Sequence, residues 1–324
     1  AAPAFVIIPL PMRPLLIIGL WLAAAPYCAL AQKPAVATLK IREHPRLMLT
    51  AARVQELRAL KNSDLDLKLL VENLLSSCDE TLPLPPTELK LDRGNVLPVA
   101  RAMLGRMASL SMGYVLTQKP DYKARALKEA QAAAAFETWL PDPYHFLDPA
   151  ELTLAFAIVY DWLHADLSDA EKTMLHEAII KKGLTPAAAK YAKGDGFVTG
   201  TNNWNQVCNG GFTAGAIAVL TDESTLAETI LAAAVKSAEH SKTAFAPDGV
   251  CVEGIGYWGY ANEFGAVLYG SLSTAFGTDF DLSKGAGLNR TLDFMDAMLP
   301  NEAPGFVTGY NFGEVRDSRK IIAW

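Results

Sequence analysis

The sequence is short of cysteine, with 4 in 324 residues, and none of them forms a Cys-x-x-Cys pair. That excludes a disulfide-dense scaffold and a zinc ribbon. Its 5 histidines never fall in a His-x-x-x-His spacing, so no metal site is expected within the chain. Blocks of like charge are missing too. The 29 basic and 35 acidic side chains give a net charge of −6, which argues against a nucleic-acid partner. No alternating apolar pattern runs long enough to build a sheet. What is present is globular: 51% hydrophobic and 20% charged residues exclude a wholly disordered chain.

The first methionine is Met12, and an export signal follows it. Arg13 is a short positive region, and residues 14–28 form an apolar stretch containing Pro14 and Pro26. Ala29-Leu30-Ala31 is an A-x-A cleavage site before Gln32. The stretch is shorter than the ~20 residues a membrane anchor needs, so no stable anchor is expected. These features predict cleavage after Ala31 and a periplasmic or secreted protein. Residues 1–31 are then upstream residues plus signal peptide. Residues 32–92 form a helical segment ending in the Pro-rich linker Leu82-Pro83-Leu84-Pro85-Pro86, and 93–324 form the main helical domain. Of the cysteines left after cleavage, Cys208 and Cys251 either form a bridge or remain buried thiols.

The mature sequence reads as helix almost throughout. Thr50 caps a run with Val54, Leu57 and Leu60 on one face, and Leu65 to Leu75 continues in the same way. Helices then come in pairs, at 95–117 with 121–139, 149–163 with 169–182, 205–220 with 224–243, and 256–276 with 287–298. Ser168 and Glu171 make a capping box. The pairs recur about every 50 residues, which predicts a helical solenoid or a closed α/α toroid. Residues 249–252 are a candidate for a short extended piece. The abrupt apolar end predicts a truncated domain.

Two clusters carry chemistry. The first, residues 201–211, gathers Asn202, Asn203, Trp204, Asn205 and Gln206 at a helix entry, where one cap residue suffices. Asn amides donate to a carboxylate without competing for its proton. The second, residues 247–260, holds Asp248, Glu253, Tyr257 and Tyr260. Its Gly254, Gly256 and Gly259 match G-x-G-x-x-G, but no parallel sheet surrounds them, so they are read as turn glycines. Tyr257 and Tyr260 are three apart and share one helical face. Asp248 and Glu253 offer two-carboxylate glycosidase chemistry as an alternative. His145 either lines a cavity or is a satisfied core histidine. Tyr310 and Arg316 are candidates for gripping an anionic sugar. Asp161 in the YDWL run reads as core packing, and His44, His164, His176 and His240 as surface or packing residues.

In their order, the segments His44-Pro45-Arg46-Leu47, HFLDPAELT (145–153), YDWL (160–163), NNW (202–204), DGVCVEGIGYWGY (248–260) and YNFGEVRDS (310–318) resemble the helical domain of the heparinase II/III-type polysaccharide lyases, whose relatives include enzymes acting on alginate. The resemblance implies an all-α chain forming an incomplete α/α toroid of helical hairpins. The family's C-terminal β-sandwich region would be absent from this chain. It also implies β-elimination on a uronate-containing acidic polysaccharide. Asn203 matches the Asn that neutralises the uronate carboxylate, and Tyr257 matches the Tyr that works as base, acid or both. Asn202, Trp204, Gln206, Tyr260, Glu253, His145, Tyr310 and Arg316 would contact the sugar. Trp204 stands where many members carry His, and an indole stacks on a ring but exchanges no proton. A second catalytic His, and any metal, would belong to the missing region, so no cofactor is expected here. A non-catalytic glycan-binding protein and a C5 uronate epimerase are the remaining alternatives. An acidic protein that holds a polyanion needs a locally basic groove, for which Lys190, Lys193, Arg316, Arg319 and Lys320 are candidates.

Overall fold

A helix that is apolar on every face has to sit between other helices, and two segments of this chain do. The computed structural model describes residues 39–298. Their elements are α1 (Ala51–Leu60), α2 (Leu65–Thr81), α3 (Leu97–Thr117), α4 (Pro120–Ala134), α5 (Leu147–Trp162), α6 (Asp169–Ala178), α7 (Thr185–Lys193), α8 (Asn203–Val219), α9 (Ser224–Ser241), α10 (Ile255–Phe276) and α11 (Thr291–Met298). α5 is buried from Leu147 to Asp161, and α8 is buried at every position except Trp204. They are the centre of a row in which α3 packs on α5, α5 on α8, and α8 on α10. A second row, α4, α6, α7 and α9, covers it, each helix presenting one apolar side. The fold is all-α: among the described residues the sole β feature is an isolated bridge between Asp92 and Asn95.

Close approach within the first row depends on two adjacent glycines. A Cβ on Gly210 would lie 2.5 Å from the Phe264 carbonyl oxygen of α10, and one on Gly211 would lie 2.2 Å from the Ala150 carbonyl oxygen of α5. Neither site has room for a side chain, so α8 meets both neighbours backbone to backbone.

The helices of that row run in one direction, and residues 42–61 fix their C-terminal ends. Helix C-termini leave carbonyls without intrahelical partners, and cations there also complement the helix dipole. Arg46 fills this role for α8, with Nε 3.1 Å from the Ile217 carbonyl and Nη2 3.0 Å from that of Ala218. The Arg42 side chain and backbone N–H donate to the Thr274 and Ala275 carbonyls of α10, at 2.9 and 3.0 Å. Arg58 and Lys61 donate to Val115 and Leu116 at the end of α3. At the end of α5, Asp161 accepts the backbone N–H groups of Arg46 and Leu47, each at 2.9 Å, and its Oδ1 lies 2.5 Å from His44 Nδ1. Asp161 is therefore an anchor for the His44–Leu47 segment, not the plain packing residue expected. His44 stacks on His164, with centroids 4.0 Å apart.

Each expected helix pair is present, with shifted ends. Thr50 caps α1 as predicted, but Leu60, the last residue of α1, faces solvent. The Ser168–Glu171 capping box is formed. The helix expected over 169–182 instead passes into a π-helical turn, Ile179–Leu184, and continues as α7. Pro186 in the first turn of α7 lacks an N–H, which breaks the regular ladder at that point. Residues 249–252 pair with no strand: they bend at Gly249, are irregular at 250–251 and enter a turn at Val252. Phe245, Cys251, Ile255, Trp258 and Met295 make a small second core under that turn. No helix among the described residues is long and apolar enough to cross a membrane. The expected signal peptide and cleavage site lie outside the described residues.

Candidate functional site

Because the four helices run in one direction, their N-terminal ends gather opposite the residue 42–61 segment. Helix starts leave unpaired N–H groups, and here neighbouring helices supply the acceptors. Asn202 holds the extended N-cap position of α8, yet its side chain caps nothing. The Glu253 carboxylate, arriving from the turn before α10, does so instead. It accepts the Asn203 backbone N–H at 2.6 Å on one oxygen and the Asn203 Nδ2 amide at 2.7 Å on the other. α3 begins in the same manner, its Val96 N–H donating to Asp148 of α5 at 2.8 Å. The other Asp148 oxygen lies 2.6 Å from His145 Nδ1. The His145 ring stands edge-on to the Trp204 indole, with centroids 5.1 Å apart. Glu253, Asn203, Trp204, His145 and Asp148 thus form one connected series across α5, α8 and the turn before α10.

A second cluster lies a turn deeper. The Tyr260 hydroxyl donates to Glu151 Oε1 at 2.5 Å. Arg101 Nε lies 3.3 Å from the same oxygen, and its guanidinium sits 4.8 Å above the Tyr260 ring. Glu151 is 1% exposed. Burial pushes its carboxyl up to about 7, and Arg101 and Tyr260 pull it back only in part. Burial and then the Glu151 charge hold the Tyr260 phenol well above its ordinary value, so Tyr260 stays protonated.

Of the residues expected at the site, Asn203 is buried, Asn202 is exposed, and Trp204, His145, Glu253, Tyr257 and Tyr260 are half-buried. Tyr257 occupies the first turn of α10, between Glu253 and Tyr260 in sequence. Gln206 is buried between α8 and α10, with its Nε2 3.3 Å from where a Cβ on Gly265 would be. Asp248 is exposed and closes a local turn on the Val250 N–H, apart from the Glu253–Asn203 contact. Lys190 and Lys193 both pair with Asp195. Tyr310, Arg316, Arg319 and Lys320 lie outside the described residues. Cys208 and Cys251 are both free buried thiols. Of the three glycines that match G-x-G-x-x-G only Gly254 takes a positive φ, 89°, as the N-cap of α10, and Gly249 earlier in the cluster takes 94°. A cavity of about 520 Å³ borders the Pro-rich linker, between Pro85 and Arg106, and none of the expected site residues lines it. Among the described residues no group of three His, Cys, Asp or Glu side chains is placed to hold a metal ion.

Arg101, Asp148 and Glu151 were not singled out in the sequence. The available signal was an acid at 151 inside the apolar run 147–162, since a charge in a fully buried helix has to find partners.

No protein-family model matches the chain, and no curated protein matches it in sequence.

Proposed function

We propose that the protein is an exported polysaccharide lyase that cleaves a uronate-containing acidic polysaccharide by β-elimination, on an incomplete α/α toroid of helical hairpins. The observation that carries this reading is the grip of Asn203 on a carboxylate. Its backbone N–H and side-chain amide hold both oxygens of Glu253. On binding, the carboxylate of a uronate displaces Glu253 from these two donors, which then hold the charge that grows as the C5 proton leaves. Tyr257, on the first turn of α10, takes that proton. The electron pair of the C5–H bond forms the C4–C5 double bond, the C4–O4 bond breaks, and an acid protonates O4. Trp204 and His145 offer a wall on which a sugar ring stacks.

The test is to incubate the protein with alginate, heparan sulfate, chondroitin and hyaluronan and follow the near-ultraviolet absorbance of the unsaturated uronate. A rise that vanishes in Tyr257→Phe is the expected result. Binding without a rise on any polymer overturns the lyase reading. That outcome favours the glycan-binding alternative, which Trp204 in place of a proton-exchanging His supports, or the C5 epimerase. New reducing ends without unsaturation point to a glycosidase.

A further inference from the structure

The elimination needs an acid for O4 as well as a base for C5, and the Glu151 cluster has the chemistry of one. Resting on the lyase reading, we propose that Tyr260 gives its phenolic hydrogen to the departing O4 oxygen and that Glu151, acting through Tyr260, replaces it. Glu151 is shut off from solvent, whereas Tyr260 is half-buried, so of the two only Tyr260 can touch a substrate. Their oxygens are 2.5 Å apart; with Glu151 protonated, its carboxyl hydrogen bridges them and the Tyr260 hydroxyl hydrogen turns toward O4. Tyr260 lies three residues beyond Tyr257, one turn on along the same face of α10. Base and acid therefore stand side by side on one rigid helix.

The step balances. The C5 hydrogen goes as a proton to the Tyr257 oxygen, which enters the step as phenolate, the C5–H pair becomes the C4–C5 double bond, and the C4–O4 pair stays on O4. O4 takes the Tyr260 hydrogen, and the Tyr260 oxygen takes the Glu151 carboxyl hydrogen. Glu151 is left as a carboxylate beside Arg101, whose Nε is already 3.3 Å away. Solvent then removes the proton from Tyr257 and returns one to Glu151. The titratable groups facing Glu151 are Arg101 from α3, Tyr260 and Glu263 from α10, and Cys208 from α8. A carboxyl poised near neutrality by burial can both hold and release a proton in this setting.

The experiment is a pH profile of turnover for the wild type, Glu151→Gln and Tyr260→Phe, together with the infrared carboxyl band of the substrate-free protein. Wild-type kcat is expected to fall as pH rises through about 7, because the ionised Glu151 has no proton to pass on. Glu151→Gln is expected to lose that alkaline limb and to lower kcat about a hundredfold with KM little changed. Tyr260→Phe is expected to lower kcat at least as far. The protonated-carboxyl band is expected in the wild type near pH 6 and absent in Glu151→Gln. The relay is overturned if Glu151→Gln keeps the wild-type kcat and profile, or if the wild type lacks the band. No turnover on any polymer removes the lyase reading and the relay with it, while a persisting band marks that failure as one of function and not of the Glu151–Tyr260 pairing.

Discussion

Glu253 and Asn203 stand 50 residues apart in the chain and meet through two hydrogen bonds, at 2.6 and 2.7 Å. One contact both starts α8 and ties the turn before α10 to it. A charged acceptor at a helix N-terminus is worth more than a neutral one. Glu253→Ala is therefore expected to destabilise the protein by about 2 kcal/mol, and Glu253→Gln, which keeps one acceptor oxygen, by less. Urea unfolding of the two variants checks the order. Equal losses would mean that the neutral oxygen kept by Gln contributes nothing and that the carboxylate charge carries the whole effect.

Asp161 accepts three backbone or imidazole contacts from residues 44–47 and is fully buried. Asp161→Ala strands those donors in the interior, at a cost of about 3 kcal/mol or more. The expected readout is a lower unfolding midpoint and faster amide exchange at Arg46 and Leu47. Unchanged exchange there would show that Asp161 does not hold the segment.

A half-buried imidazole and a buried carboxyl act against each other between pH 4 and 7. Burial, helped by His44, pulls the His164 imidazole down to about 4, and burial pushes the Glu151 carboxyl up to about 7. The folded state keeps both neutral, whereas the unfolded chain ionises them at ordinary values. His164 thus contributes stability that is complete above about 6.5 and is lost as pH falls toward 4. Glu151 contributes stability that is complete below about 4.5 and is lost as pH rises toward 7. The expected result is that Glu151→Gln steepens the loss of stability on acidification, while His164→Asn steepens the loss on going from pH 4.5 to 7. Parallel stability profiles for the two variants would contradict the opposed shifts.

Gly211 has the Ala150 carbonyl where a side chain would begin. Gly211→Ala forces α5 away from α8 and is expected to lower stability by about 3 kcal/mol. Gly105→Ala, where nothing lies within 4 Å, is the control and is expected to be neutral or slightly stabilising. A calorimetric midpoint for each decides it.

The helical hairpins were legible because their signals are local. Thr50, the Ser168–Glu171 box and the apolar runs act within one or two turns of themselves. The π-helical turn before Pro186 was not, since which residue widens a helix depends on what packs against it. At the site, the sequence drew attention to Asn203, Trp204, Glu253, Tyr257 and Tyr260 through unusual density of polar and aromatic residues. The pairing of Asn203 with Glu253 had no such signal, because it is made across helices. Glu151 and Asp161 were hidden by their apolar neighbours. Both are buried acids whose partners, Tyr260 and Arg101 for one and residues 44–47 for the other, come from distant parts of the chain.

The segment from Arg42 to Lys61 has a consequence for how the molecule opens. Four helices that could fray one by one share a single strap across their carbonyl ends. Loosening that strap exposes the last turns of α3, α5, α8 and α10 in one event, so that end of the protein breathes as one cooperative unit and a single proteolytic nick there is felt by every helix of the row.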